Sequence, residues 1–377
     1  MNKRKKIILV SNACWQLFNF RKNTIKKLLL DGYDVEVIAP RDDCTENLEL
    51  LGCNFSHISL GSSGKNPFKD IGTIFKLIYL YKKLKPDLVL NFTPKINIYS
   101  TLAGSFLKIQ CINNIAGLGT AFIETGLTSK LVGFLYMISQ PLASVVFFQN
   151  QEDMDLFNKK GWAKKKKSIR IMGSGVDLNH FKVMDAPDDN IIRFLFVGRI
   201  LEEKGVLDLI NASRLLKQNY NNFELQILGW TDSDKNDQIK LNDILSLEKE
   251  GVVNYLGYHT NVADFIANAD CIVLPSYYRE GVPRSLLESA AMGKPIISTN
   301  TIGCRETIDD GLNGFFCKTE DPEDLAKKME LIINMTHGER VRMGHRGRDK
   351  IEKEFDEKYV IEEYMKAIEE IIKNKEL

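Results

Sequence analysis

The sequence is poor in the residues that mark metal, disulfide or membrane chemistry. Histidine is scarce, with five in 377 residues. The seven cysteines (Cys14, Cys44, Cys53, Cys111, Cys271, Cys304 and Cys317) include no C-x-x-C pair. Their odd number and scatter predict reduced thiols, as in the cytoplasm, rather than a disulfide framework. No G-x-G-x-x-G follows a first strand, which argues against a nicotinamide-dependent oxidoreductase. No recognition-helix, zinc or aromatic RNA-binding motif supports a nucleic-acid partner. A membrane span wants about 20 predominantly apolar residues. The nearest stretch, Leu131–Phe148, is broken by Ser139, Gln140, Pro141 and Ser144. It reads as a buried helix, a break at Pro141 and a strand over Ser144–Phe148. The basic start Met1–Lys6 is followed by an apolar run, Ile7–Val10, too short for an export signal. That run reads as a first strand.

What is present divides the chain in two. Its length predicts more than one domain, and 44% hydrophobic residues give each a core. The net charge of +1 hides an asymmetry: 25 Lys and Arg against 13 Asp and Glu through residue 175, then 26 against 37. A basic half suits an anionic partner such as nucleic acid, an anionic membrane or a phosphorylated substrate.

Short apolar runs alternate with helical patterns. In the first half the strands are Ile7–Val10, Val35–Ala39 and Leu88–Phe92, and the helices lie around Asn23–Leu30, Ile71–Leu84 and Ile98–Lys108. After a polar linker, 184–190, the rhythm restarts with strands at Arg193–Val197, Phe223–Leu228, Val253–Leu256, Cys271–Leu274 and Pro295–Ser298. Continuous apolar strands between helices predict parallel sheets covered on both faces. The fold class is therefore α/β, with two Rossmann-like domains at 1–183 and 191–354 and an amphipathic helix in 355–377. Two such domains facing each other make a cleft, and ligands of such sheets sit just beyond the carboxyl ends of the strands.

The motifs lie at those ends. Gly198-Arg199 through Lys204-Gly205 follows one strand. Gly198 permits close approach of a ligand, and Arg199 and Lys204 place two cations on a diphosphate. Glu280-Gly281-Val282-Pro283 follows another, and Glu288 lies eight residues on, inside the next helix. The turn at Gly281 and Pro283 offers free amides to an anion, with a carboxylate on either side. Gly303-Cys304-Arg305-Glu306 and Asp310-Gly311 to Asn313-Gly314 follow a third strand.

In order and spacing these residues resemble the C-terminal domain of family-4 glycosyltransferases, which have the GT-B fold. The resemblance implies that Arg199 and Lys204 bind the donor diphosphate, with Gly198 and the amides of Gly281 and Val282 at the Pro283 turn. Glu280 would contact the transferred sugar and Glu288 the ribose. The last helix would cross back to the N-terminal domain. Retention is implied, with no cofactor and no metal, the UDP-sugar being the donor substrate. Segments Pro94–Tyr99, Gly117–Phe122, Asn150–Asp153 and Gly173–Asp177 resemble bacterial members that extend polyprenyl-diphosphate-linked sugars in capsule or O-antigen assembly. N-acetylgalactosamine or a related hexose is the expected sugar. A UDP-sugar epimerase of the same fold, or a transferase with a soluble acceptor, is the alternative.

The sequence departs from the family pattern in two places. The loop after the first strand, Ser11–Phe20, has no Gly-Gly turn, and no histidine lies between His57 and His180. Asn113, Asn114 or the loop of Gly117, Gly119 and Thr120 would then serve the acceptor side. Two basic-aromatic sets predict peripheral attachment to the anionic inner face of the plasma membrane. One is Lys159, Lys160 and Lys164–Lys167 around Trp162; the other is Lys69, Lys76, Lys82, Lys83 and Lys85 with Phe75, Tyr79 and Tyr81.

Overall fold

The computed structural model describes residues 4–60, 67–118, 127–231 and 239–376. The chain forms two compact units, one of residues 1–174 with 358–377 and one of residues 175–357.

The first unit is built on seven parallel strands: β1 Lys6–Val10, β2 Asp34–Ala39, β3 Asn54–His57, β4 Leu88–Phe92, β5 Gln110–Ile115, β6 Val145–Phe148 and β7 Ser168–Arg170. Their order is β3-β2-β1-β4-β5-β6-β7. The outermost strands, β3 and β7, are short and partly polar, and carry no continuous apolar run to mark them in the sequence. Alternate residues of the central strands face opposite layers. Ile7, Leu9, Leu90 and Phe147 meet the helix Cys14–Leu30 and the final helix Glu357–Glu376. Ile8, Val10, Val89 and Phe148 meet the helices Pro67–Leu84, Pro94–Phe106 and Leu127–Ser139.

The first helix begins at Cys14, well before the expected Asn23. Cys14, Leu17, Arg21, Ile25 and Leu28 recur at helical spacing and are all buried, so the polar residues between them lie on its outer face. Tertiary packing turns what reads as a loop into helix. Only 11–13 then link β1 to that helix. Leu131–Phe148 is a helix ending at Ser139, a short 3-10 turn through Pro141, and β6. No described helix is long and apolar enough to cross a membrane.

The second unit has six parallel strands: β8 Ile192–Val197, β9 Phe223–Leu228, β10 Asn254–Gly257, β11 Cys271–Leu274, β12 Ile296–Thr299 and β13 Gly314–Cys317. Their order, β10-β9-β8-β11-β12-β13, reverses direction between β8 and β11. That reversal is the switch point where an open parallel sheet leaves a crevice for ligand. Both crossings of the chain into this unit are tied together: Val176 bridges Asp356, and Gly175 is so close to Glu357 that a Cβ there would lie 2.5 Å from its Cα.

Candidate active site in the second unit

The loops after β8 and β11 are pressed together. Gly205, at φ +73°, ends the first; a Cβ there would meet the Pro275 carbonyl oxygen at 2.3 Å. Glycine is therefore required both by conformation and by space. Tyr277 and Tyr278 donate their backbone N–H groups to the Glu203 carbonyl at 2.9 and 3.0 Å, closing the second loop onto the first.

This closure brings Lys204 to Glu280, Nζ to Oε1 at 3.0 Å, with side chains only 12% and 14% exposed. The Ser276 hydroxyl lies 3.3 Å from the same Glu280 oxygen. Arg199 leans over the Tyr278 ring, 6.0 Å from its centroid. Gly198, at φ +151°, lies directly against Lys204: a Cβ there would be in van der Waals contact with Nζ at 3.7 Å. Two cations and a carboxylate thus converge on the β8/β11 crevice. Lys204 is held by a counter-charge that an incoming diphosphate can replace.

Glu288 is in the helix Arg284–Ala291 and is buried. Arg284, one turn earlier, holds it with Nε to Oε1 at 2.7 Å, and the Nη1 of Arg284 donates to the Gly175 carbonyl at 2.7 Å. Burial pushes the Glu288 carboxyl above its usual range, and the charges of Arg284 and His180 pull it back. Both predicted acidic residues therefore sit beside a cation. Gly281, Val282 and Pro283 are buried at the turn between them.

The third loop supports the second. Gly303 has φ +84°, and a Cβ there would lie 1.9 Å from the Gly281 carbonyl oxygen. Thr301 donates to the Ser276 carbonyl at 3.0 Å, and Thr299 donates to the same oxygen. Asn313 is structural: it donates to Thr307 and accepts from the Asp309 amide.

Sequence reasoning missed Ser276, Arg284, Thr299, Thr301 and Gly229. A Cβ on Gly229 would lie 1.8 Å from the Gly198 carbonyl oxygen. Only Arg284 had a local signal, its i,i+4 spacing to Glu288.

In the first unit, Asn113 lies on β5 rather than in an open loop. Its oxygen accepts from Asn91 at 2.8 Å and Thr101 at 2.9 Å, and its amide donates to Gln140 at 2.7 Å. Fully buried and bonded through both amide atoms, it holds the sheet to its helices. Gly117 has φ +98°; Gly119 and Thr120 lie outside the described residues. Thr93 Oγ1, Asn97 Oδ1 and Asn114 Oδ1 are buried with no hydrogen-bond partner among the described residues. Two aromatics of the basic-aromatic sets turn inward, one buried and the other half-buried. Tyr81 is buried against Ser100, and Trp162 stacks on Tyr136 and meets Phe157 edge-on. Among the described residues, no group of three or more His, Cys, Asp or Glu could hold a metal ion.

Comparison with known proteins identifies the family. Residues 179–350 match the family model of group 1 glycosyl transferases, and residues 6–150 the glycosyl transferase 4-like model. The N,N'-diacetylbacillosaminyl-diphospho-undecaprenol alpha-1,3-N-acetylgalactosaminyltransferase of Campylobacter jejuni is 28% identical, covering 98% of this chain and 100% of that protein. The UDP-Gal:alpha-D-GlcNAc-diphosphoundecaprenol alpha-1,3-galactosyltransferase of Escherichia coli is 23% identical over 71% of each chain. Among solved structures, Anabaena HepE in complex with UDP and glucose has the same fold, with a TM-score of 0.79 at 17% identity, covering 97% of this chain and 100% of that one. Two parallel α/β sheets, loops converging at the second sheet's switch point, and both family models lead to one assignment: the chain belongs to the family-4 glycosyltransferases of GT-B fold.

Proposed function

We propose that the chain moves N-acetylgalactosamine or a related hexose from UDP to a polyprenyl-diphosphate-linked saccharide. The reaction retains the anomeric configuration and uses no metal. The observation that carries this reading is the Lys204–Glu280 pair at the switch point. A donor diphosphate displaces the carboxylate from Lys204 and takes Arg199 as a second cation. Glu280 is then released to hydrogen-bond the sugar hydroxyls. As the C1–phosphate bond breaks, charge accumulates on the diphosphate, and Lys204, Arg199 and the Gly281–Val282 amides stabilise it most at the transition state. The acceptor hydroxyl attacks from the face the diphosphate leaves and gives its proton to that phosphate. Buried Glu288, oriented by Arg284, accepts hydrogen bonds from the ribose.

The acceptor class is supported by the two relatives, whose names specify undecaprenol-diphosphate saccharides. Such an acceptor places the enzyme on the inner face of the plasma membrane as a peripheral protein. Lysines near an anionic surface contribute about 1 kcal/mol each.

Calorimetric titration with UDP, with GDP as control and Lys204→Ala alongside, tests the donor site. Binding of UDP alone, lost in the variant, is the expected result; equal binding of UDP by the variant overturns the assignment. The anomeric configuration of the product reads retention, and activity in excess chelator reads metal independence.

A further inference from the structure

We propose that the first unit docks on an anionic lipid bilayer through the outer face of the helix Leu127–Ser139, whose apolar side chains enter the headgroup layer. Tyr136 on this helix is buried, whereas Leu131, Phe134, Met137 and Ile138, with Leu142 just beyond, are exposed. Leu131 is 57% and Phe134 53% exposed. Their spacing of three to four residues makes one stripe. Single exposed apolar residues need no explanation, but a contiguous stripe marks an interaction surface.

A second helix repeats the pattern. On Pro67–Leu84, Ile71, Phe75 and Tyr79 are four apart and exposed, while Leu77 and Tyr81 are buried. Both helices pack against Pro94–Phe106 and share its core cluster, so both cover the same face of the seven-stranded sheet.

Charge selects the occupant. There is no Asp or Glu from residue 125 to 151, nor from 71 to 86. Lys130, Lys76, Lys82, Lys83 and Lys85 are exposed on or beside the stripes. A second copy seated on this surface about a two-fold axis would set lysines against lysines. Acidic headgroups complement the lysines, and the acyl boundary accepts the apolar stripe. The surface deepens the reading of a lipid-anchored acceptor and rests on it, but is tested separately.

The test is co-sedimentation of the full chain with phosphatidylcholine vesicles containing phosphatidylglycerol, at low and high salt. The variants are Phe134→Ser with Ile138→Ser, and Lys82→Gln with Lys83→Gln. Apolar burial is not screened by salt, whereas the lysine contribution is. The intact chain is expected to bind and to keep part of its binding at high salt. The apolar double variant loses about tenfold or more at both salts, and the lysine variant loses binding only at low salt. Thermal melts that match the intact chain exclude misfolding; where the first pair melts early, Leu131→Ser with Leu142→Ser takes its place. Absence of binding by the intact chain, unchanged binding by the folded apolar variant, or a solution dimer broken by that variant overturns the proposal. Sugar transfer separates the two readings. Vesicle binding without transfer to an embedded polyprenyl-diphosphate saccharide sinks the acceptor reading and leaves the docking surface standing. Transfer with no vesicle binding does the reverse.

Discussion

Arg284 Nε lies 2.7 Å from Glu288 Oε1, one helical turn away, and the same guanidinium donates to the Gly175 carbonyl. Glu288 is buried, and a buried carboxylate is tolerable only when paired. Arg284 thus opposes the upward push of burial on the Glu288 carboxyl, and its second bond fixes where that carboxyl points.

Replacing Arg284 by Gln removes the leading influence that opposes the desolvation of Glu288. Its carboxyl, already raised, then rises further, so it takes up a proton at a higher pH than in the intact chain. Affinity for UDP in the variant is expected to fall more steeply than in the intact chain as pH drops from about 8.5 to about 6. Arg284→Lys restores part of the difference. Calorimetry across that range reads it, and a flat profile for the Gln variant contradicts the role.

Lys204→Ala is expected to lower kcat as well as raise KM, because in the proposed reaction Lys204 meets charge that grows at the transition state. A combined loss in kcat/KM of about a hundredfold or more corresponds to about 2.7 kcal/mol. Steady-state kinetics with kcat unchanged would reduce Lys204 to a ground-state contact.

Gly229→Ala drives a methyl group into the Gly198 carbonyl oxygen, which lies 1.8 Å from the new Cβ position. The end of β8 must shift. The expected cost is about 1–3 kcal/mol of stability, with UDP affinity reduced beyond what the stability loss explains. Chemical denaturation and UDP titration of the same sample separate the two.

Tyr364 packs its ring on Phe147 at 4.5 Å and on Phe92 at 6.2 Å, and its buried hydroxyl has no partner among the described residues. Tyr364→Phe is expected to stabilise the first unit by about 1 kcal/mol, since an unmet hydroxyl leaves the interior. Tyr364→Ala should cost about 3–5 kcal/mol through the cavity. Urea unfolding of the two variants checks both signs.

Lys294 is buried and donates to the Ala267 carbonyl at 2.7 Å, and burial lowers its pKa to about 8. Between pH 8 and the ordinary lysine value the unfolded chain binds more protons than the folded one, so this group's contribution to stability rises with pH across that window. The stability of the intact chain relative to Lys294→Met should therefore increase from pH 7.5 to pH 10, by at most about 3 kcal/mol. Urea midpoints at the two values measure it, and parallel curves would refute it.

The sequence alone determined the two α/β units, their parallel strands and the loops that carry the glycine-and-charge motifs. Those depend on local requirements: continuous apolar runs for strands buried on both faces, and a glycine or proline turn with nearby charges at a strand's end. Tertiary structure decided the partners. Lys204 meets Glu280 because β8 and β11 are neighbours in the sheet, an adjacency no local pattern encodes. Asn113 reads as an available amide, yet the register Asn91–Asn113 and the facing helix enclose it. Tyr81 and Trp162 sit among lysines in the sequence, yet Tyr81 is buried in the core and Trp162 packs half-buried against it, while the apolar stripe of Leu127–Ser139, which reads as buried, faces outward. Helical periodicity marks an apolar face, but which faces are covered depends on how many neighbouring elements the sheet brings against each helix.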